Sequence, residues 1–315
     1  MTRTTSIDGV LPVVQTPFAA DGSIDVDALD AELEWVLDQD VDGLTTGMVS
    51  EILRLTFEER NLLTERVCAI ASARGRTAVI SCGAESLRAA VMHAEHAQGN
   101  RASALMANTP VTVGLDDSEV KAYFATILNS TDLPVVVQDA SGYVGRPLSI
   151  AVQTQLFEEF GDRVLFKPEA QPIGPRLSQL RDATSGEARI LEGSGGAAVI
   201  DSYRRGIVGT MPGAEVCWAI KRLWDAVVEG DWQTAYGISG PLNTLVAMQA
   251  TVDGYVAIEK HLLWRQGVLG PSTHRRPTGF MLDVETALEV DRLFNQIAVA
   301  AGQQNRALSA ESVSV

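Results

Sequence analysis

Eight short β-rich runs alternate with amphipathic helical runs between residues 9 and 210, and this repeat leaves the chain very few folds. The β-rich runs cover 9–15, 42–49, 77–83, 104–108, 134–138, 164–167, 189–192 and 206–210. Helical periodicity fills 26–37, 56–73, 85–97, 117–128, 148–160 and 197–205, and Thr56 followed by Glu59 reads as a capping box. Eight strands alternating with helices make the α/β pattern of a TIM (β/α)8 barrel. A doubly wound sheet would place a glycine-rich phosphate loop after its first strand, whereas this chain continues into Thr16-Pro17-Phe18. From 214 onward only helical runs remain, at 214–229, 232–248, 255–266 and 284–301. The first of these closes the barrel. The expected division is a barrel over 1–228, a C-terminal helical domain over 229–301 and a frayed tail over 302–315.

A formal net charge of −15 opposes a nucleic-acid partner, which needs clustered Lys and Arg, and opposes docking on an anionic membrane. No apolar stretch approaches the ~20 residues of a membrane span, and Met1-Thr2-Arg3 opens no secretory leader. The separated cysteines Cys68, Cys82 and Cys217 suit a reducing cytoplasm and compose neither a disulfide framework nor a zinc motif. His93 and His96 read as solvated helix-surface residues that lack further ligands. No metal or organic cofactor is implied.

In a barrel, chemistry gathers at the C-terminal ends of the strands. Those positions hold Thr16, Met48-Val49-Ser50-Glu51, Cys82, Asn108, Gln138-Asp139, Lys167 with Glu169, and Glu192 followed by Gly193-Ser194-Gly195-Gly196. Lys167 is the only amine of this ring. It closes the apolar run Val164-Leu165-Phe166, and Pro168 biases it to extended backbone. Loss of water disfavours the charged form of an amine, and a neutral amine can condense with a ketone to a Schiff base. A strand-end lysine can instead snorkel its charge into solvent. The glycine-rich turn after the seventh strand suits close approach to an anionic group, or is simply a tight turn.

The segments Gly9-Val10-Leu11-Pro12-Val13-Val14-Gln15-Thr16-Pro17-Phe18, Asp42-Gly43 through Glu51 with Leu55-Thr56 and Glu59-Arg60, Leu133-Pro134-Val135-Val136-Val137, and Phe166-Lys167 follow one another in a telling order. Together they resemble the dihydrodipicolinate synthase/N-acetylneuraminate lyase superfamily. The resemblance implies a class I lyase that forms a Schiff base with a pyruvate-type keto acid, and a TIM barrel with C-terminal helices. It further implies a homo-oligomer, tetramer or dimer, with Lys167 at the position of the imine-forming lysine.

The chain also departs from that pattern. Where the family has Gly-Thr-Thr-Gly-Glu, this chain reads Gly47-Met48-Val49-Ser50-Glu51, so the relay threonines are missing. Where the family has Tyr-Asn after the fifth strand, it reads Gln138-Asp139, and a glutamine cannot shuttle a proton at neutral pH. Asp139, Glu169 or Tyr143 is then the expected proton carrier beside Gln138. Thr16, Val49, Ser50 and Glu51, with Gly193, Ser194 and Gly195, form the expected substrate wall, and Arg146 is a candidate positive charge. Two functions fit: a Schiff-base lyase, either an aldolase or a 2-keto-3-deoxy sugar-acid dehydratase, or a keto-acid-binding or regulatory protein on the same barrel.

Overall fold

The computed structural model describes residues 6–271 and 274–308. Its elements run β1 Gly9–Val10, α1 Val26–Leu37, β2 Gly43–Thr45, α2 Phe57–Ala73, β3 Thr77–Ser81, α3 Leu87–Gly99, β4 Ala104–Asn108, α4 Asp117–Ser130, β5 Val135–Asp139, α5 Ile150–Phe160, β6 Val164–Pro168, α6 Ile173–Ala183, β7 Arg189–Glu192, α7 Val199–Arg204, β8 Gly209–Thr210 and α8 Cys217–Glu229. All strand pairs are parallel, in the order β1-β8-β7-β6-β5-β4-β3-β2. Val13 bridges both Thr45 and Gly213, which brings the two edges together into a nearly closed barrel. This is the expected TIM architecture, and the open doubly wound sheet is excluded.

Strand parity sorts the side chains into two cores. Leu11, Val13, Val79, Ala104, Met106, Val136, Leu165, Leu191 and Met211 fill the barrel interior. Their neighbours Val135, Val137, Val164, Phe166 and Ile190 pack outward onto the helices. Thr56 caps α2, and its own N–H donates to Glu59 Oε2 at 2.8 Å, as the capping box predicts.

Strands β1 and β2 are shorter than expected. The run 9–15 pairs over Gly9–Val10 and then only at Val13, and 42–49 pairs over Gly43–Thr45 before turning into a 3-10 turn, Met48–Ser50. The turn forms because the Gly47 N–H binds the Ser50 hydroxyl, which itself donates to the Val14 carbonyl at 2.5 Å. His93 is not on the surface: it is buried and stacks on Phe57 at 4.6 Å, and burial pushes its imidazole down to about 4.

Three more helices follow, α9 Trp232–Met248, α10 Val252–Arg265 and α11 Val284–Ala300. α9 packs on α8 and α11, and α10 packs against the Met48–Ser50 turn. α10 is buried without a break from Gly254 to Leu263. A helix buried on every side has no solvent face for its charges, so Glu259, Lys260 and His261 need partners inside the protein. His261 pairs with Asp291 at 2.9 Å, and Lys260 with Glu51 at 2.5 Å. Of the tail expected over 302–315, Gln304–Arg306 makes a 3-10 turn and the Leu308 N–H bonds Asn295; residues 309–315 lie outside the described residues.

Candidate active site

Lys167 and its surroundings follow from strand parity. Leu165 points into the barrel, so Lys167, two residues on, points the same way, and Glu169 follows it just past the strand end. Only 4% of Lys167 is exposed, and its Nζ lies 3.1 Å from Glu169 Oε1. This amine does not snorkel. On the adjacent strand Gln138 is in register with Lys167, and its Nε2 donates to Glu169 Oε2 at 2.8 Å. Burial raises the Glu169 carboxyl above its ordinary range, with Lys167 and Gln138 opposing the rise.

These three groups line a narrow cavity of about 40 Å³ at the barrel mouth, together with Val49, Tyr143, Gly193, Gly195, Tyr255 and Glu259. The Tyr143 hydroxyl donates to that of Tyr255 at 3.4 Å, and the rings meet edge to face. Burial raises both phenols, so they are neutral donors at physiological pH. Gly193 is glycine for a steric reason: a Cβ there would stand 2.5 Å from Lys167 Cε and 2.7 Å from Glu169 Oε1.

The structure parts the other expected site residues from this cavity. Asp139 has the opposite strand parity to Gln138. Its Oδ1 accepts from Ser141 and its Oδ2 from the Leu148 N–H at 3.0 Å, with Arg176 at 3.5 Å, so it organises the loop behind the strand. Thr16 donates to the Ser50 carbonyl at 2.6 Å, and the Ser50 hydroxyl is occupied by the Gly47 N–H and the Val14 carbonyl. Glu51, in left-handed backbone at φ 58°, takes Lys260 and the Arg275 N–H. Ser194 turns back onto Glu192 and caps the Ala198 N–H. Arg146 is exposed in a separate groove, 3.4 Å from the Leu115 carbonyl. Lys167, Gln138, Glu169, Tyr143, Val49, Gly193 and Gly195 are therefore brought together, and Asp139, Thr16, Ser50, Glu51, Arg146 and Ser194 are not.

Sequence reasoning missed Tyr255 and Glu259, both on α10. Their signal is the run Tyr255 to Leu263, where charged residues sit among apolar ones with no polar face. Among the described residues no group of three or more His, Cys, Asp or Glu side chains is placed to hold a metal ion, and no helix is long and apolar enough to cross a membrane.

The fold and the buried lysine at the end of its sixth strand define a TIM-barrel protein with C-terminal helices over the barrel mouth. Residues 6–297 match the model of the dihydrodipicolinate synthetase family, and the chain belongs to that family. It is 25% identical over 256 residues to a 4-hydroxy-tetrahydrodipicolinate synthase of Bartonella bacilliformis, covering 79% of this chain and 85% of the relative. It is 26% identical over 286 residues to an L-2-keto-3-deoxyarabonate dehydratase of Azospirillum brasilense, covering 85% and 88%. Among solved structures, a putative dihydrodipicolinate synthetase from Pseudomonas aeruginosa superposes with a TM-score of 0.85 at 21% identity, over 93% of this chain and all of the other. The relatives are named as synthase and dehydratase, in keeping with lyase-type chemistry.

Proposed function

We propose that the protein is a Schiff-base lyase for a pyruvate-type 2-keto acid, cleaving a carbon–carbon or carbon–oxygen bond next to the imine. The observation that carries this reading is the buried Lys167 amine, 3.1 Å from Glu169 and open to a cavity. Glu169 takes the proton of the ammonium, and Lys167 Nζ adds to C2. Loss of water leaves the protonated imine, which accepts the electron pair released at C3. In an aldolase that pair comes from the C3–C4 bond. In a dehydratase it comes from a C3–H bond and then expels the C4 hydroxyl as water. Glu169 carries the proton in both cases, the role the missing tyrosine leaves open, while the neutral phenols of Tyr143 and Tyr255 donate to substrate oxygens. The substrate carboxylate lies against the backbone amides of Met48 and Val49, which line the cavity.

The same barrel also supports a non-covalent keto-acid binder, because an amine held in an ion pair with Glu169 can bind a carboxylate as a point charge. A dimer or tetramer in the cytoplasm belongs to the proposal as well, on the resemblance and the reduced cysteines. Incubation with pyruvate and with 2-keto-3-deoxy acids, then borohydride reduction and intact-mass measurement, tests the lyase reading. An adduct absent in Lys167→Ala supports it. Absence of any adduct removes it in favour of the binder.

A further inference from the structure

On the wall of the cavity formed by the C-terminal helices, a second acidic pair stands apart from Lys167 and Glu169. Glu259 lines the cavity from α10, and its Oε2 accepts from Gln15 Nε2. Glu215, in the segment between β8 and α8, is 4% exposed. Gln249 donates to its Oε1 at 3.1 Å, and its Oε2 is buried without a hydrogen-bond partner. Gly213, another cavity residue, shows where that orphan oxygen points. The first two atoms a Cβ at Gly213 would strike are Glu215 Oε2 and Glu259 Oε1. The two carboxyl oxygens converge on one glycine at the cavity edge, where a larger residue could not stand.

Two buried carboxyls side by side cannot both ionise cheaply, and one proton held between them supplies the donor that the orphan oxygen lacks. Burial raises both groups, and the Glu215 charge raises Glu259 further. Among the described residues Lys167 is the only cation in the cavity lining, and the neighbouring acid Glu169 already pairs with it. Arg146, the other candidate cation, lies in a separate groove.

We propose that Glu259, sharing a proton with Glu215, is the specificity-determining residue that hydrogen-bonds a hydroxyl of the substrate chain beyond C2 and excludes a second carboxylate. The inference rests on the keto-acid reading of the same site and names its substrate class: a hydroxylated 2-keto-3-deoxy acid rather than a dicarboxylic keto acid. A hydroxyl can accept the shared proton or donate to the carboxylate. A second carboxylate would meet a net negative wall with no counter-ion.

The test is calorimetric binding of two five-carbon ligands, 2-keto-3-deoxypentonate and 2-oxoglutarate, in a Lys167→Ala background that cannot form the imine and so does not convert them. The expected preference for the hydroxylated acid is about tenfold or more, as for a hydrogen bond to a charged group. Adding Glu259→Gln, which keeps donors and removes charge, lowers that ratio by admitting 2-oxoglutarate. Adding Glu259→Leu lowers it by weakening the hydroxylated acid. Equal binding of the two acids, binding of neither, or a ratio unmoved by both Glu259 variants overturns the inference. Borohydride trapping of pyruvate by the unaltered protein is read separately, so loss of the hydroxyl preference and loss of the Schiff-base reading are distinguishable.

Discussion

Gln138 and Lys167 are register partners on adjacent parallel strands, and both converge on the carboxylate of Glu169, at 2.8 and 3.1 Å. The glutamine that replaces the family's tyrosine therefore does not move protons itself. It orients the carboxylate to which the proposed mechanism gives that role. Replacing Glu169 with Gln keeps the shape and one acceptor but removes the base. The expected result is a fall in kcat of ~10²–10⁴-fold, with the Lys167 adduct forming more slowly on borohydride reduction.

The acidic limb of the pH profile follows from the same pair. Burial raises Glu169 above its ordinary value of 4.5, so the fraction of ionised base, and with it kcat/KM, rises with pH through a midpoint above 4.5. A profile of kcat/KM against pH checks this, and Glu169→Gln should flatten that limb.

Gly193→Ala places a Cβ 2.5 Å from Lys167 Cε. Both ends of the Lys167–Glu169 pair must move, and displacement near 1 Å costs about 100-fold in rate. Activity should fall by that order while the circular dichroism spectrum stays that of the parent protein.

How much of this was open to reading differs by residue. The barrel was legible because eight β-rich runs alternate with helical ones, and Lys167 because a lone amine ends an apolar run. Gln138 and Asp139 could also have been told apart: Val136 and Leu165 face inward, so parity sends Gln138 into the barrel and Asp139 out of it. Thr16 and Ser50 are expected as substrate contacts, and in the structure their hydroxyls donate to backbone carbonyls, because a hydroxyl at a strand end serves equally to close a turn. Tyr255 and Glu259 were hidden for another reason. They reach the cavity from a helix more than 80 residues beyond Lys167, and no local pattern states which strand end a C-terminal helix will cover.

Lys260 and Glu51 join that helix to the β2 turn through a buried ion pair at 2.5 Å. Burial lowers the Lys260 ammonium and Glu51 opposes the fall. Removing one partner breaks a buried ion pair and leaves the other charge in the interior, so Lys260→Met and Glu51→Gln should each cost ~3–5 kcal/mol in urea unfolding. The double variant should cost clearly less than the two added together.

Glu32 offers a test of linkage. Burial pushes its carboxyl up to about 8 from 4.5, with the Gln15 N–H opposing, and its Oε2 lacks a partner. A raised carboxyl favours the folded state fully below the unfolded value, and this contribution is lost as pH rises through the folded one. Glu32→Gln mimics the protonated form, so its advantage in Tm should be small at pH 4 and grow to roughly 3 °C or more by pH 8.

The most direct test of the account is to locate the reduced adduct. Pro168 blocks tryptic cleavage after Lys167, so digestion yields one peptide spanning residues 164–176 with or without modification. After pyruvate and borohydride, the account predicts that this peptide carries the adduct mass on Lys167. An adduct on any other amine, or an unmodified peptide under conditions that saturate the site, would contradict it.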